Sequence, residues 1–159
     1  MIKNVAIVDY GLGNILSAQQ SFLKVSNDND IKASVIVTSQ PKDIAESTHI
    51  VLPGQGAFET CMDGLSSIPC MIDELTKSVI NNKTPFLGIC VGMQLLANVS
   101  YENGEHKGLG WIDGQIKKLP TNNLKLPHMG WNEVKIINNN KLVEKRKLNE
   151  YYFVHSYFF

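Results

Sequence analysis

The sequence is short of cysteine, of charge imbalance and of long apolar runs, and each shortage excludes something. Its 159 residues include three cysteines, Cys61, Cys70 and Cys90. An odd number without Cys-x-x-Cys spacing argues against a disulfide framework or a zinc site, so no metal is expected. Fifteen basic residues balance fifteen acidic ones. No electrostatic footprint for nucleic acid or an anionic membrane follows from that balance, and the short run Lys145-Arg146-Lys147 reads as solvated surface. No apolar stretch approaches the roughly 18 residues needed to cross a bilayer. The start, MIKNVAIVDYG, is interrupted by Asp9 too early for a signal peptide. The expectation is a cytoplasmic chain with neither a nucleic-acid nor a membrane partner. The segment DYGLGN lacks the third glycine of a dinucleotide fingerprint, and no phosphate-binding P-loop is found, so no nucleotide cofactor is expected.

What is present is a core. Hydrophobic residues make up 43% and charged residues 19%, which excludes a disordered chain. The length fits one domain over residues 1–159, without internal repeats or linkers. Asn4 to Val8, Ala33 to Thr38, Ile50 to Leu52 and Pro85 to Ile89 are short apolar runs of the kind buried on both faces of a parallel sheet. Between them lie helical patterns at Ile15 to Val25, Pro41 to Ser47 and Cys70 to Asn81. Ser26 to Asp30 reads as a polar loop, and Val91 to Asn98 as a further helix. Alternating strand and helix predicts an α/β fold with a mostly parallel sheet. After Tyr101 the pattern changes. Gly114 to Leu119, Asn132 to Ile137 and Tyr151 to Phe159 read as strands of a mixed or antiparallel region.

In such sheets, sites form where strands end and helices begin. DYGLGN, PGQG and GICVG all follow buried strands. In GICVG, Cys90 stands between Gly88 and Gly92 at a strand-to-helix joint, the cysteine form of the G-x-S-x-G nucleophile elbow. A sharp turn there lifts the sulfur above the sheet. The N–H groups of the following helix favour a thiolate, and the Val91 N–H is placed to stabilise an oxyanion. On this pattern alone, a small buried cysteine in a tight turn explains the residue equally well. Cys61 and Cys70 lack such a turn and read as structural. The PGQG glycines suit a second oxyanion donor from Gln55 or Gly56, although taken alone an ordinary strand-ending turn accounts for them.

Taken together, VAIVDYGLGN, LPGQGAF, PFLGICVGMQLL, KGLGWIDGQI, LPHMGWNEV and YYFVHSY resemble the class I glutamine amidotransferases along essentially the whole chain. More narrowly they resemble the glutaminase subunits of imidazole glycerol phosphate synthases, which act in histidine biosynthesis. The resemblance implies a flavodoxin-like sheet and hydrolysis of L-glutamine to glutamate and ammonia. It also implies a heterodimer in which ammonia passes to a (β/α)₈ cyclase subunit. Matched residue by residue, Cys90 is the nucleophile that forms a glutamyl thioester, and Val91 with the PGQG segment forms the oxyanion hole. Gln94, Glu102, His155, Ser156 and Tyr157 match residues at the glutamine substrate, and Asn14 and Trp131 match residues facing the cyclase. His49, His106 and His128 are expected to be surface or locally bonded histidines.

Two departures stand out. Gln55 is polar where the family usually has an apolar residue. The sequence also contains no His-Pro-Glu, the family motif whose histidine serves as general base. The expectation is therefore an incomplete amidotransferase domain with little turnover on its own, and a terminal strand YYFVHSYFF prone to association. Other readings are a non-catalytic remnant that only binds a partner, a glutaminase paired with a surface-sugar enzyme, or a flavodoxin-like redox sensor using Cys90.

Overall fold

Four apolar segments assemble the sheet that positions the site. In β1 (Lys3–Val8) the last four residues are buried, as a central parallel strand covered on both faces requires. β2 (Ala33–Thr38) and β3 (His49–Gly54) flank it, and β4 (Phe86–Cys90) pairs beyond β3. All pairings are parallel, in the order β2-β1-β3-β4. The register sets Val5 opposite Val35, Ile7 opposite Val51, and Gly54 opposite Cys90. The computed structural model describes residues 2–121, 125–135 and 150–159. Met1–Ile116 with Phe159 form one compact unit and Lys117–Phe158 another.

Parallel neighbours need crossovers. They are supplied by α1 (Ile15–Asp28), α2 (Pro41–Ala45), α3 (Phe58–Ser66) and α4 (Met71–Thr76), the last continuing into a π turn over Lys77–Asn81. α1 runs three residues into the expected polar loop. Its polar residues bond back onto the helix: the Ser26 hydroxyl donates to the Phe22 carbonyl at 2.8 Å and the Asn29 amide to the Val25 carbonyl at 2.8 Å. They therefore satisfy the last turn instead of ending it. α3 buries Phe58, Cys61 and Leu65, a helical spacing, yet Gly64 and its charged neighbours obscure that pattern in the sequence. Fully buried Ile7, Leu52, Phe58, Leu65, Met71 and Leu75 form the heart of the unit.

The helix expected over Val91 to Asn98 is one turn long, α5 (Val91–Gln94). A competing set of bonds cuts it short. The Asn98 N–H, which a helix to that residue would turn to Gln94, donates instead to the Gly114 carbonyl at 3.0 Å, and the turn before it tightens to i→i+3 bonds, Leu96 to Met93 and Ala97 to Gln94. The chain instead enters β5 (Val99–Ser100), which pairs antiparallel with β6 (His106–Lys107) and parallel with the start of β7 (Gln115–Lys118).

In the second unit, Lys117 and Lys118 pair with β10 (Tyr157–Phe158), and β8 (His128–Glu133) forms an antiparallel pair with β9 (Glu150–His155). The strand expected over Asn132 to Ile137 thus begins four residues earlier. The stacking of His128 on Phe153, with ring centroids 5.1 Å apart, belongs to that register. Ile136, Ile137 and the basic run at 145–147 lie outside the described residues. The expected nine-residue terminal strand is interrupted at Ser156. Its carbonyl accepts from the Leu119 N–H at 2.8 Å, and His155 Nδ1 bonds the Tyr157 carbonyl at 2.9 Å. No helix among the described residues is long and apolar enough to cross a membrane.

Candidate active site

β4 hands the chain to α5 through Cys90, whose backbone has φ 56° and ψ −119°. A side chain rarely adopts that conformation, and holding it costs on the order of 1–3 kcal/mol. The surroundings enforce it. A Cβ on Gly92 would collide with the Leu52 carbonyl oxygen of β3, and one on Gly88 would lie 2.6 Å from the Met93 Cα. Glycine is required on both sides because the elbow folds directly against β3 at Gly92 and back onto α5 at Gly88. The thiol so presented is exposed. It borders a cavity of about 590 Å³ whose lining, mostly apolar, includes Ala18, Phe22, Val25, Leu87 and Ile89.

The sequence-predicted oxyanion residues converge on this elbow. Val91 is buried and opens α5, where the first N–H groups have no intrahelical acceptor. Gly54 is paired with Cys90 across β3 and β4, so the exposed Gln55 and Gly56 leave the sheet beside the sulfur. Gly56 has φ 105°. Gln94 lies buried on α5, one turn beyond Cys90.

Other predicted residues have visible structural work. Glu102 Oε2 accepts the Phe58 N–H at 2.8 Å. It caps α3, whose own N-cap residue is Ala57 and has no side-chain acceptor. Asn14 caps α1 through its side-chain oxygen, which accepts the Ser17 N–H at 3.3 Å. In the second unit, Trp131 is 72% exposed and meets Tyr152 edge to face. Ser156 and Tyr157 contribute carbonyls to the bonds already described, and His155 also meets His128, Nε2 to Nδ1, at 3.4 Å. His49 Nδ1 bonds the Thr48 hydroxyl at 2.9 Å, and His106 faces Glu59 at 3.8 Å. Among the described residues of the first unit, no histidine or carboxylate hydrogen-bonds the Cys90 sulfur.

Two residues beneath the PGQG loop emerge only from the structure. Tyr10, buried, donates its hydroxyl to the Pro53 carbonyl at 2.6 Å. Cys61, fully buried on α3, donates its thiol to the Gln55 carbonyl at 3.5 Å. Burial pushes the Tyr10 phenol well above its ordinary range, and the neighbouring Cys61 adds to the effect. Burial likewise raises the Cys61 thiol, while the Tyr10 side chain and the Gln55 backbone pull it the other way. Both groups are proton donors at neutral pH. The available sequence signal was slight: a phenol two residues past a buried strand needs a partner when it is buried.

A parallel α/β sheet that ends a strand in a strained cysteine, with a glycine loop paired alongside, defines a nucleophile-elbow protein of the acyl-transfer type. The family model for class-I glutamine amidotransferases matches residues 6–159, and the chain belongs to that family. Among curated relatives it is 46% identical to "Imidazole glycerol phosphate synthase subunit HisH" of Pelagibacter ubique, over 98% of this chain and 75% of that protein. It is 42% identical to the protein of the same name from Zymomonas mobilis, over 99% of this chain and 72% of the relative. A third, "subunit HisH 2" of Methanococcus maripaludis, is 44% identical over 97% and 73%. The chain therefore spans about three-quarters of the length of these relatives.

Proposed function

We propose that this chain is a glutaminase subunit of an imidazole glycerol phosphate synthase, acting in histidine biosynthesis as a single amidotransferase domain. The observation that carries the chemistry is the strained Cys90 elbow paired to the glycine loop at Gly54. In the reaction, Cys90 Sγ bonds to the γ-carboxamide carbon of L-glutamine. The resulting oxyanion is held by the Val91 N–H and a backbone donor of Gln55 or Gly56. The C–N bond breaks, and the thiol proton leaves on ammonia. Water then adds to the glutamyl thioester, the C–S bond breaks, and glutamate departs with the thiol restored. Gln94 and Glu102 flank this path as substrate-holding residues.

Ammonia is delivered to a (β/α)₈ cyclase subunit in a cytoplasmic heterodimer. Asn14, beside the Cys90 cavity, and Trp131, exposed on β8, support this partner-facing assignment. A second reading, a non-catalytic binding protein, draws on the same exposed Trp131 and on the absence of a bonded base at Cys90 within the first unit.

A diazoketone analogue of glutamine separates the two. The glutaminase reading predicts alkylation at Cys90, slowed by L-glutamine and abolished by Cys90→Ala, with Cys61 and Cys70 unmodified. Labelling that glutamine does not slow would favour the binding protein.

A further inference from the structure

The two faces of the β8–β9 pair differ in chemistry. One carries the exposed apolar residues Met129, Trp131, Tyr152 and Val154, and the other carries His128, Phe153 and His155. His128 and His155 stand directly opposite each other in the antiparallel register. Their side chains therefore leave the ladder on the same face, with Cβ atoms about 4.5–5.5 Å apart. Both are half-buried. Phe153 stacks on the His128 ring at 5.1 Å and meets the His155 ring at 5.7 Å, centroid to centroid. In this setting His128 Nδ1 and His155 Nε2 face each other at 3.4 Å.

The neighbouring bond fixes which nitrogen holds a lone pair. His155 Nδ1 lies 2.9 Å from the Tyr157 carbonyl. A carbonyl only accepts, so Nδ1 carries the proton and donates it, and in the neutral ring Nε2 is the lone-pair nitrogen. A carbonyl behind the second ring nitrogen is also the contact that orients imidazoles bound to metals. A neutral His128 can donate its Nδ1–H to the His155 lone pair, but 3.4 Å is long beside the usual range of about 2.7–3.2 Å for an N–H donor. The same separation fits a shared ion closely. Two imidazole nitrogens, each about 2.0–2.1 Å from one tetrahedral zinc, stand about 3.3–3.4 Å apart. The rings are tilted by 58° with centroids 5.5 Å apart, so they converge through their nitrogen edges and do not stack.

We propose that His128 Nδ1 and His155 Nε2 form a two-histidine site for a divalent cation of the zinc type. On binding, the His128 proton moves from Nδ1 to Nε2 through solvent, both facing nitrogens present lone pairs, and no proton is released. Imidazole ligands suit zinc, copper and nickel, whereas magnesium and calcium take oxygen. Among the described residues no group of three or more histidines, cysteines or carboxylates is placed to hold a metal, so water completes the coordination and the site binds with moderate affinity. No sequence motif marks it, because the two ligands are 27 residues apart and meet only through the strand register. The proposal stands independently of the glutaminase reading.

The test uses the full 159-residue chain, free of any affinity tag and carrying Cys70→Ala and Cys90→Ala, so that the two exposed thiols do not compete for metal. Zinc alone is titrated by calorimetry, and one site per chain in the micromolar range is expected. His128→Gln and His155→Gln should each weaken it about tenfold or more, as removal of one of only two protein ligands requires. His49→Gln and His106→Gln, which alter histidines of the first unit, should leave it unchanged. Should a glutamine loosen the hairpin, nitrogen NMR of the imidazoles in the chain with all four histidines carries the comparison. Zinc is expected to shift His128 Nδ1 and His155 Nε2 as metal-bound nitrogens while His155 Nδ1 stays protonated. No zinc binding in the micromolar range, equal affinity in all four histidine variants, or zinc on other ring nitrogens would overturn the site.

Discussion

Cys90 is the proposed nucleophile, and its backbone is what distinguishes it from the other two thiols. Cys61 is fully buried and bonded to the Gln55 carbonyl; Cys70 is exposed ahead of α4 with φ 62°. Only Cys90 combines exposure, a strained backbone and pairing with the glycine loop at Gly54. The buried donors below it have a measurable signature of their own. The folded chain raises the proton affinity of both Tyr10 and Cys61. The unfolded chain releases these protons at about pH 10 and about pH 8.5. Above about pH 8.5 the unfolded state therefore binds fewer protons than the folded state, and stability falls as pH rises. Below that value the two groups contribute no slope. Urea unfolding at pH 7, 9 and 10.5 should show this decline, and Tyr10→Phe should remove the part that begins near pH 10. An identical decline in that variant would contradict the assignment.

At the scale of elements, legibility depends on where the bonds run. β1 to β4 are legible because strands buried on both faces leave continuous apolar runs, and the elbow is legible because Gly88 and Gly92 must stand where a side chain would collide with backbone. α5 misleads because the Asn98 N–H is taken by the Gly114 carbonyl, well outside any local pattern. α3 goes unread in the sequence for a related reason: its first turn is capped from 44 residues away by Glu102. The sequence assigns that glutamate to substrate, and the structure adds the cap without removing the first role. Glu102→Ala is expected to lower stability by about 0.5–2 kcal/mol, as for the loss of other helix caps. Glu102→Gln retains an acceptor and should recover most of that loss in chemical denaturation. Equal stability of the alanine variant and the parent would remove Glu102 from the account of α3. The Tyr10–Cys61 pair was illegible for the same reason, since three separate elements meet there.

At the scale of the molecule, the residues proposed for the oxyanion hole, Val91, Gln55 and Gly56, lie along the seam between β3, β4 and α5. The large cavity beside Cys90 is predominantly apolar and is walled by α1 and β4, which is poor chemistry for holding an amino acid. The second unit presents Met129, Trp131, Tyr152 and Val154 on one face of the β8–β9 pair, all more than half exposed. That face is suited to a protein partner and not to catalysis.

The most direct measurement mixes the chain with L-glutamine itself, quenches in acid and maps the peptides by mass spectrometry. A glutamyl adduct is expected on the peptide containing Cys90, released by hydroxylamine as a thioester is, and absent from Cys90→Ala. No adduct at Cys90, or adducts distributed over Cys61 and Cys70, would contradict it.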